Sequence, residues 1–117
     1  MRLFVDCDDT LVLWDDTHQN QDKTLWIRDS WQPNTQLIAA VKSYADNVQP
    51  DLVIIWSGGG LEYARGWLER LFPDERGWVA ASKDTTLPES GDLCVDDMEI
   101  VTKGLLVSPS KFVELCA

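Results

Sequence analysis

The 117-residue chain predicts a single α/β domain, residues 1–117, on a mainly parallel five-stranded sheet. Three observations predict it. Short apolar runs alternate with segments of helical period, the first run ends on a cluster of aspartates, and a second acidic pair ends a later run. Alternating strands and helices pair in parallel, and such sheets bind ligands beyond the carboxyl ends of their strands, near a reversal of strand order.

Leu3, Phe4 and Val5 are an unbroken apolar run, the mark of a strand covered on both faces. Leu52 to Trp56 repeats the pattern and Trp78 to Ala81 does so more weakly; Leu93 to Val95 and Leu105 to Val107 supply a fourth and a fifth run. Asn34 follows Pro33 at the head of a segment in which Leu37, Ile38, Val41, Tyr44 and Ala45 recur at helical spacing. Leu61, Ala64, Trp67, Leu68, Leu71 and Phe72 do the same until Pro73 stops them.

Residues 11 to 32 depart from the alternation. Leu11 to Trp14 and Thr24 to Ile27 are β-prone and flank the polar stretch Asp15 to Lys23, which predicts a hairpin with a mobile tip. Because it follows the first aspartates directly, this insertion is expected to hang over them as a flap. Trp14, Trp26 and Trp31 are half of the chain's six tryptophans, and they either pack the hairpin's inner face or offer a platform for an aromatic substrate group. Trp26, between Leu25 and Ile27, reads as packing, and Trp14 as the better stacking position. His18, on the polar tip, reads as solvent-exposed.

Composition narrows the classes. No apolar run approaches the ~20 residues of a membrane span, and no basic, hydrophobic leader precedes the first strand, so a cytoplasmic protein is expected. Twenty acidic against ten basic residues give a net charge of −10, which opposes membrane surfaces and tight non-specific nucleic-acid binding. Cys7, Cys94 and Cys116 are odd in number and widely spaced, and read as reduced residues rather than zinc ligands.

The chemistry lies at the ends of the apolar runs. Asp6 and Asp8 emerge together after the first strand, and carboxylates this close repel unless a cation joins them; Mg²⁺, a hard ion that prefers oxygen, suits them. Asp6 is then a candidate nucleophile and Asp8 a candidate proton shuttle. The plainer reading of Asp6-Cys7-Asp8-Asp9-Thr10 is an acidic turn capping the next element. Ser57 and the three glycines after it follow the second run at the start of a helix, where a hydroxyl and free N–H groups can hold a phosphate oxygen. Asp96 and Asp97 close the fourth run and would complete an oxygen-rich cation site with Asp6 and Asp8. Lys83 follows the third run and is either a solvated surface lysine or the cation that reaches this cluster.

In this order the residues resemble the four short motifs of the haloacid dehalogenase-like (HAD) phosphohydrolase superfamily: Asp6-Cys7-Asp8-Asp9-Thr10, Ser57, Lys83 and Asp96-Asp97. The resemblance implies a Rossmann-like sheet of strand order 5-4-1-2-3 with helices on both faces, a short flap at about residues 11–32 and no cap domain. The link at 82 to 91 can make the crossing this order requires, since ten extended residues reach about 33 Å against strand spacings of about 4.8 Å. It also implies a Mg²⁺-dependent phosphatase. Asp6 would form an aspartyl-phosphate, and Asp8 would protonate the leaving oxygen and then deprotonate water. Lys83 would balance charge, Ser57 and the N–H of Gly58 would hold the phosphoryl group, and Thr10 would orient the loop. The metal would be held by Asp6, the backbone carbonyl of Asp8, and Asp96 or Asp97. A capless site of this kind suits a phosphorylated substrate as small as a nucleotide or as large as a nucleic-acid end or a phosphorylated protein. Two other classes stand beside it. A non-catalytic HAD-like binding module would lack the nucleophile or the proton shuttle, and both aspartates are present; a receiver-type phosphoacceptor domain needs an aspartate where Trp56-Ser57-Gly58 stands.

Overall fold

The computed structural model describes residues 1–14, 17–19, 26–28 and 30–117, with 17–19 and 26–28 described by backbone alone. A five-stranded parallel sheet contains β1 (Arg2–Asp6), β6 (Leu52–Ser57), β7 (Val79–Ser82), β8 (Leu93–Val95) and β9 (Leu105–Val107) in the order β7-β6-β1-β8-β9. The chain steps outward from β1 to β7, then crosses back to add β8 and β9 on the other side, and this reversal places the ends of β1 and β8 next to each other.

Three helices are described: α1 (Thr35–Val48), α2 (Leu61–Leu71) and α3 (Pro109–Leu115). Asn34 starts α1 by accepting a hydrogen bond from the Leu37 N–H at 3.2 Å, while its own amide donates to the Thr10 carbonyl at 2.9 Å. The helix start is thereby fastened to the aspartate loop. Ser108 caps α3 in the same way, with Pro109 in the first turn. This last helix had no forecast in the apolar pattern, because one buried residue, Phe112, anchors it.

Strand periodicity divides the core. Leu3, Val5, Val53, Ile55 and Val95 face one way and are packed with Leu37 and Val41 of α1, Ala64 and Trp67 of α2 and Phe112 of α3. Phe4, Ile54, Trp56, Ala81 and Cys94 face the other way, and no helix joins their cluster. The expectation of helices on both faces is thus corrected: all three lie on one face. A right-handed crossover that reverses direction along the sheet must pass over the opposite face, and here those crossovers, residues 83–92 and 96–104, are short and contain no helix. They cover the second face as loops. Ile100 packs on that cluster, and the Trp56 indole donates to the Thr86 carbonyl at 3.1 Å.

Two antiparallel ladders are described between residues 12 and 33: β2 (Val12–Trp14) with β5 (Trp31–Pro33), and β3 (Thr17–Gln19) with β4 (Trp26–Arg28). The expected hairpin therefore reaches further than its β-prone pieces, with Trp14 directly opposite Trp31. The rest of the polar tip, and the expectations for the side chains of His18 and Trp26, lie outside the described residues. Cys7 and Cys94 are buried, Cys116 is half-buried, and all three are free thiols. No helix among the described residues is long and apolar enough to cross a membrane.

Asp92 ties the first crossover loop to β1. It accepts from the Arg2 N–H at 2.9 Å, from Arg2 Nε and Nη2 at 3.0 and 2.7 Å, and from the Glu89 N–H at 2.8 Å. Burial opposes its charge, yet the hydrogen bonds from Arg2 and Glu89 outweigh burial and hold the carboxyl below the ordinary range. Its contribution to stability is therefore present above the unfolded carboxylate pKa and is lost as pH falls through the lower folded value. Asp92→Asn should cost about 1–3 kcal/mol in urea unfolding at pH 7, and the gap from wild type should close below about pH 4. A gap that stays constant with pH would show that the carboxylate's charge is not what holds the loop.

Candidate active site

The sheet register assembles the site. Val5 is level with both Ile55 and Val95, so Asp6, Trp56 and Asp96 follow at the carboxyl ends of three adjacent strands. Alternation sends all three side chains toward the helix-free face. Asp6 and Asp96 are both buried, and two carboxylates side by side in a poorly solvated place demand a cation.

Lys83 supplies one. Its ammonium lies 3.0 Å from Asp6 Oδ1 and 2.6 Å from Asp96 Oδ2 and sits over the Trp56 ring at 4.9 Å from the centroid. Its backbone N–H donates to the Ser57 carbonyl at 3.0 Å, which fixes the start of the crossover loop against β6. The surface-lysine reading of Lys83 fails on this geometry. Burial works against the ammonium, but hydrogen bonds to Asp96 and Asp6 prevail and raise its pKa above the ordinary lysine value. Burial, and next the negative charge of Asp96, push Asp6 up to about 7 despite Lys83 and Thr10.

Thr10 completes the cluster. Its hydroxyl donates to Asp6 Oδ2 at 2.8 Å, lies 3.2 Å from Asp97 Oδ1 and accepts from the Asp97 N–H at 3.2 Å. A tight turn brings it there: Asp9 adopts φ 61°, a left-handed conformation that Asp tolerates, and the Thr10 and Val12 N–H groups both donate to the Cys7 carbonyl. Thr10 itself is fully buried.

Carboxylate oxygens of Asp6, Asp96 and Asp97 lie within 4.8 Å of one another and make an all-oxygen ligand set. With all three ionised, three carboxylates against one ammonium leave two negative charges, and an all-oxygen donor set of that charge fits a hard divalent cation such as Mg²⁺. The Asp8 side chain is not part of this triad. Its Oδ1 accepts from the Trp14 indole at 3.0 Å and from the Tyr63 hydroxyl at 2.5 Å, so the carboxylates of Asp6 and Asp8, two residues apart, take separate partners.

Ser57 is buried at the end of β6, and its Oγ accepts from the Gly59 N–H at 3.0 Å. Gly58 is exposed on the loop that follows. Ser57 is tied to the acidic cluster through its carbonyl, which accepts from the Lys83 N–H. Gly60, at φ 103°, turns the chain into α2, and a Cβ on Gly59 would come within 2.8 Å of the Tyr63 ring, so the ring can approach the loop this closely only at a glycine.

Sequence reasoning did not single out Tyr63, and it gave Trp14 a different role. One signal for Tyr63 was present: it is an aromatic residue with a polar tip, off the apolar stripe of α2 and in its first turn, which opens at the site. Trp14 and Trp31 both pack against the main core, and Trp31 meets Trp67 edge-on with centroids 4.8 Å apart, which accords with packing at the base of the flap.

Because the Asp6 pKa is raised in the fold, its ionisation is a cost that develops as pH rises from the unfolded carboxylate value to about 7. In chelator-treated protein Asp6→Asn should match wild type in Tm near pH 4, exceed it increasingly up to pH 7, and hold a constant lead above that. A variant less stable than wild type at pH 8 would mean that Asp6 is a net stabiliser, and that burial beside Asp96 is not the dominant effect.

No family model matches the chain, and neither a curated protein nor a solved structure matches it significantly. What the chain does is therefore to be read from the chemistry of the site itself.

Proposed function

We propose that the protein is a Mg²⁺-dependent phosphomonoester hydrolase of the HAD-like kind that works through an aspartyl-phosphate on Asp6. The observation that carries the reading is the setting of Asp6: buried at a strand end, with Oδ1 beside the Lys83 ammonium, Oδ2 on the Thr10 hydroxyl, and Asp96 and Asp97 within reach of a shared cation. The sheet order β7-β6-β1-β8-β9 supports it as well, being the arrangement that the resemblance implies.

Each residue has a task the geometry suits. Thr10 fixes one oxygen of Asp6 and so aims the other. Lys83 offsets the charge of Asp6 and of an arriving phosphate at the same place. Ser57 and the N–H of the exposed Gly58 lie at the neighbouring strand end, ready to take phosphate oxygens. Asp8, held apart from the triad by Trp14 and Tyr63, is the proton donor to the leaving oxygen and then the base for water. Mg²⁺, held by Asp6, Asp96 or Asp97 and the Asp8 carbonyl, would shield the nucleophile from the negative charge of the phosphate. The insertions at both positions where a cap would stand are short, which suits nucleotides, nucleic-acid ends and phosphorylated proteins alike.

The deciding assay is hydrolysis of p-nitrophenyl phosphate and a panel of phosphate esters, with Mg²⁺ and with excess chelator. Turnover should require the metal, Asp6→Asn should abolish it, and Asp8→Asn should slow it roughly 10² to 10⁴-fold. Equal rates with and without chelator, or full activity in Asp6→Asn, would sink the reading. Binding of phosphate esters without turnover would favour the non-catalytic module instead.

A further inference from the structure

We infer that Trp14 and Tyr63 are positioning residues that decide which oxygen of Asp8 moves the proton, an inference that rests on the phosphatase reading above. Both donate to the same atom, Asp8 Oδ1. An indole N–H is a donor only, and with the Tyr63 O–H also on Oδ1 the acceptor capacity of that oxygen is taken up, so a proton carried by Asp8 is favoured on Oδ2. Two donors on one carboxylate oxygen also fix the plane and rotation of the group, which a single donor leaves free to turn.

The donors reach Asp8 from separate elements that share a support. Trp14 stands on β2 opposite Trp31, and the Trp31 ring packs edge-on against Trp67 at 4.8 Å. Tyr63 stands in the first turn of α2 with its ring against Gly59 and meets the same Trp67 at 6.2 Å, again edge-on. Trp67 is buried in the main core. Trp67 belongs to α2, so the flap base is braced on the helix that also carries Tyr63, and the orientation of Asp8 depends on both elements.

In the proposed reaction the role of Oδ2 is balanced over two steps. As Asp6 bonds to phosphorus and the phosphorus–ester oxygen bond breaks, Oδ2 gives its proton to the departing oxygen. Water then attacks phosphorus, the Asp6 oxygen–phosphorus bond breaks, and Oδ2 takes the proton of that water, which restores the starting state. An Asp8 free to rotate would present the protonated oxygen only part of the time.

The test is a double-mutant cycle between Tyr63→Phe and Asp8→Asn, read as kcat and KM on one alkyl phosphate with Mg²⁺ present. Tyr63 is 37% exposed and Phe keeps the ring on Gly59, so the fold should be retained. Tyr63→Phe should lower kcat roughly tenfold with KM unchanged, and should have no further effect once Asp8 is Asn. Trp14→Phe should show the same dependence on Asp8. Wild-type kcat in both Phe variants, or an equal loss with and without the Asp8 carboxylate, would overturn the inference while leaving the phosphatase reading intact. Absence of turnover in wild type, or full activity in Asp8→Asn, would instead remove that reading, and the inference would fall with it.

Discussion

The carboxyl edge of the sheet is organised around two buried carboxylates, Asp6 and Asp96, that stand side by side on adjacent parallel strands with one ammonium between them. Parallel pairing gives the strand ends no choice, since register puts the residues after Val5 and Val95 at the same level. Their repulsion in a place of low polarisability is large enough that a cation has to be brought to them, and Lys83 comes from two strands away. The Lys83 backbone is bonded to Ser57 and its ammonium lies above the Trp56 ring, so the lysine is as fixed as the acids it serves.

Topology decides on which face this happens. After β7 the chain reverses direction across the sheet, and right-handed crossovers must then run over the face opposite α1 and α2. Those crossovers are loops, so the second face of the sheet is lined by a smaller core and leaves Leu87, Met98 and Val101 exposed around it. A loop can bring Lys83, Asp96 and Asp97 close to Asp6 with less bulk than a helix would impose. The ion pair of Arg2 with Asp92 holds the first of these loops down at its far end.

The two aspartates of the first loop are treated differently, and that division underlies the proposed mechanism. Asp6 is still strand and faces the acid and ammonium cluster; Asp8 lies within a turn that the left-handed Asp9 closes, and meets donors that carry no charge. One carboxylate lies among charged groups and the other among neutral N–H and O–H groups, although only Cys7 separates them in the chain.

The five sheet strands, two of the helices and the acidic strand ends were legible in the sequence because they follow from local period: a buried parallel strand must be continuously apolar, and its polar end must fall where the run stops. Asp6, Asp96 and Asp97 could be named as one cluster for that reason, whereas Asp8, named with them, takes partners of its own. Lys83 could be named but not secured, since its partners lie 77 and 13 residues away and only the crossover of the loop joins them. The placement of all three helices on one face could not be read, because an amphipathic stripe says that a helix is covered and not on which side of the sheet. Nor could the pairing of Trp14 and Tyr63 on Asp8 be found. Their rings read as packing, and the polar atom at the edge of each acquires a purpose only when a hairpin and a helix distant in sequence converge on the same carboxylate.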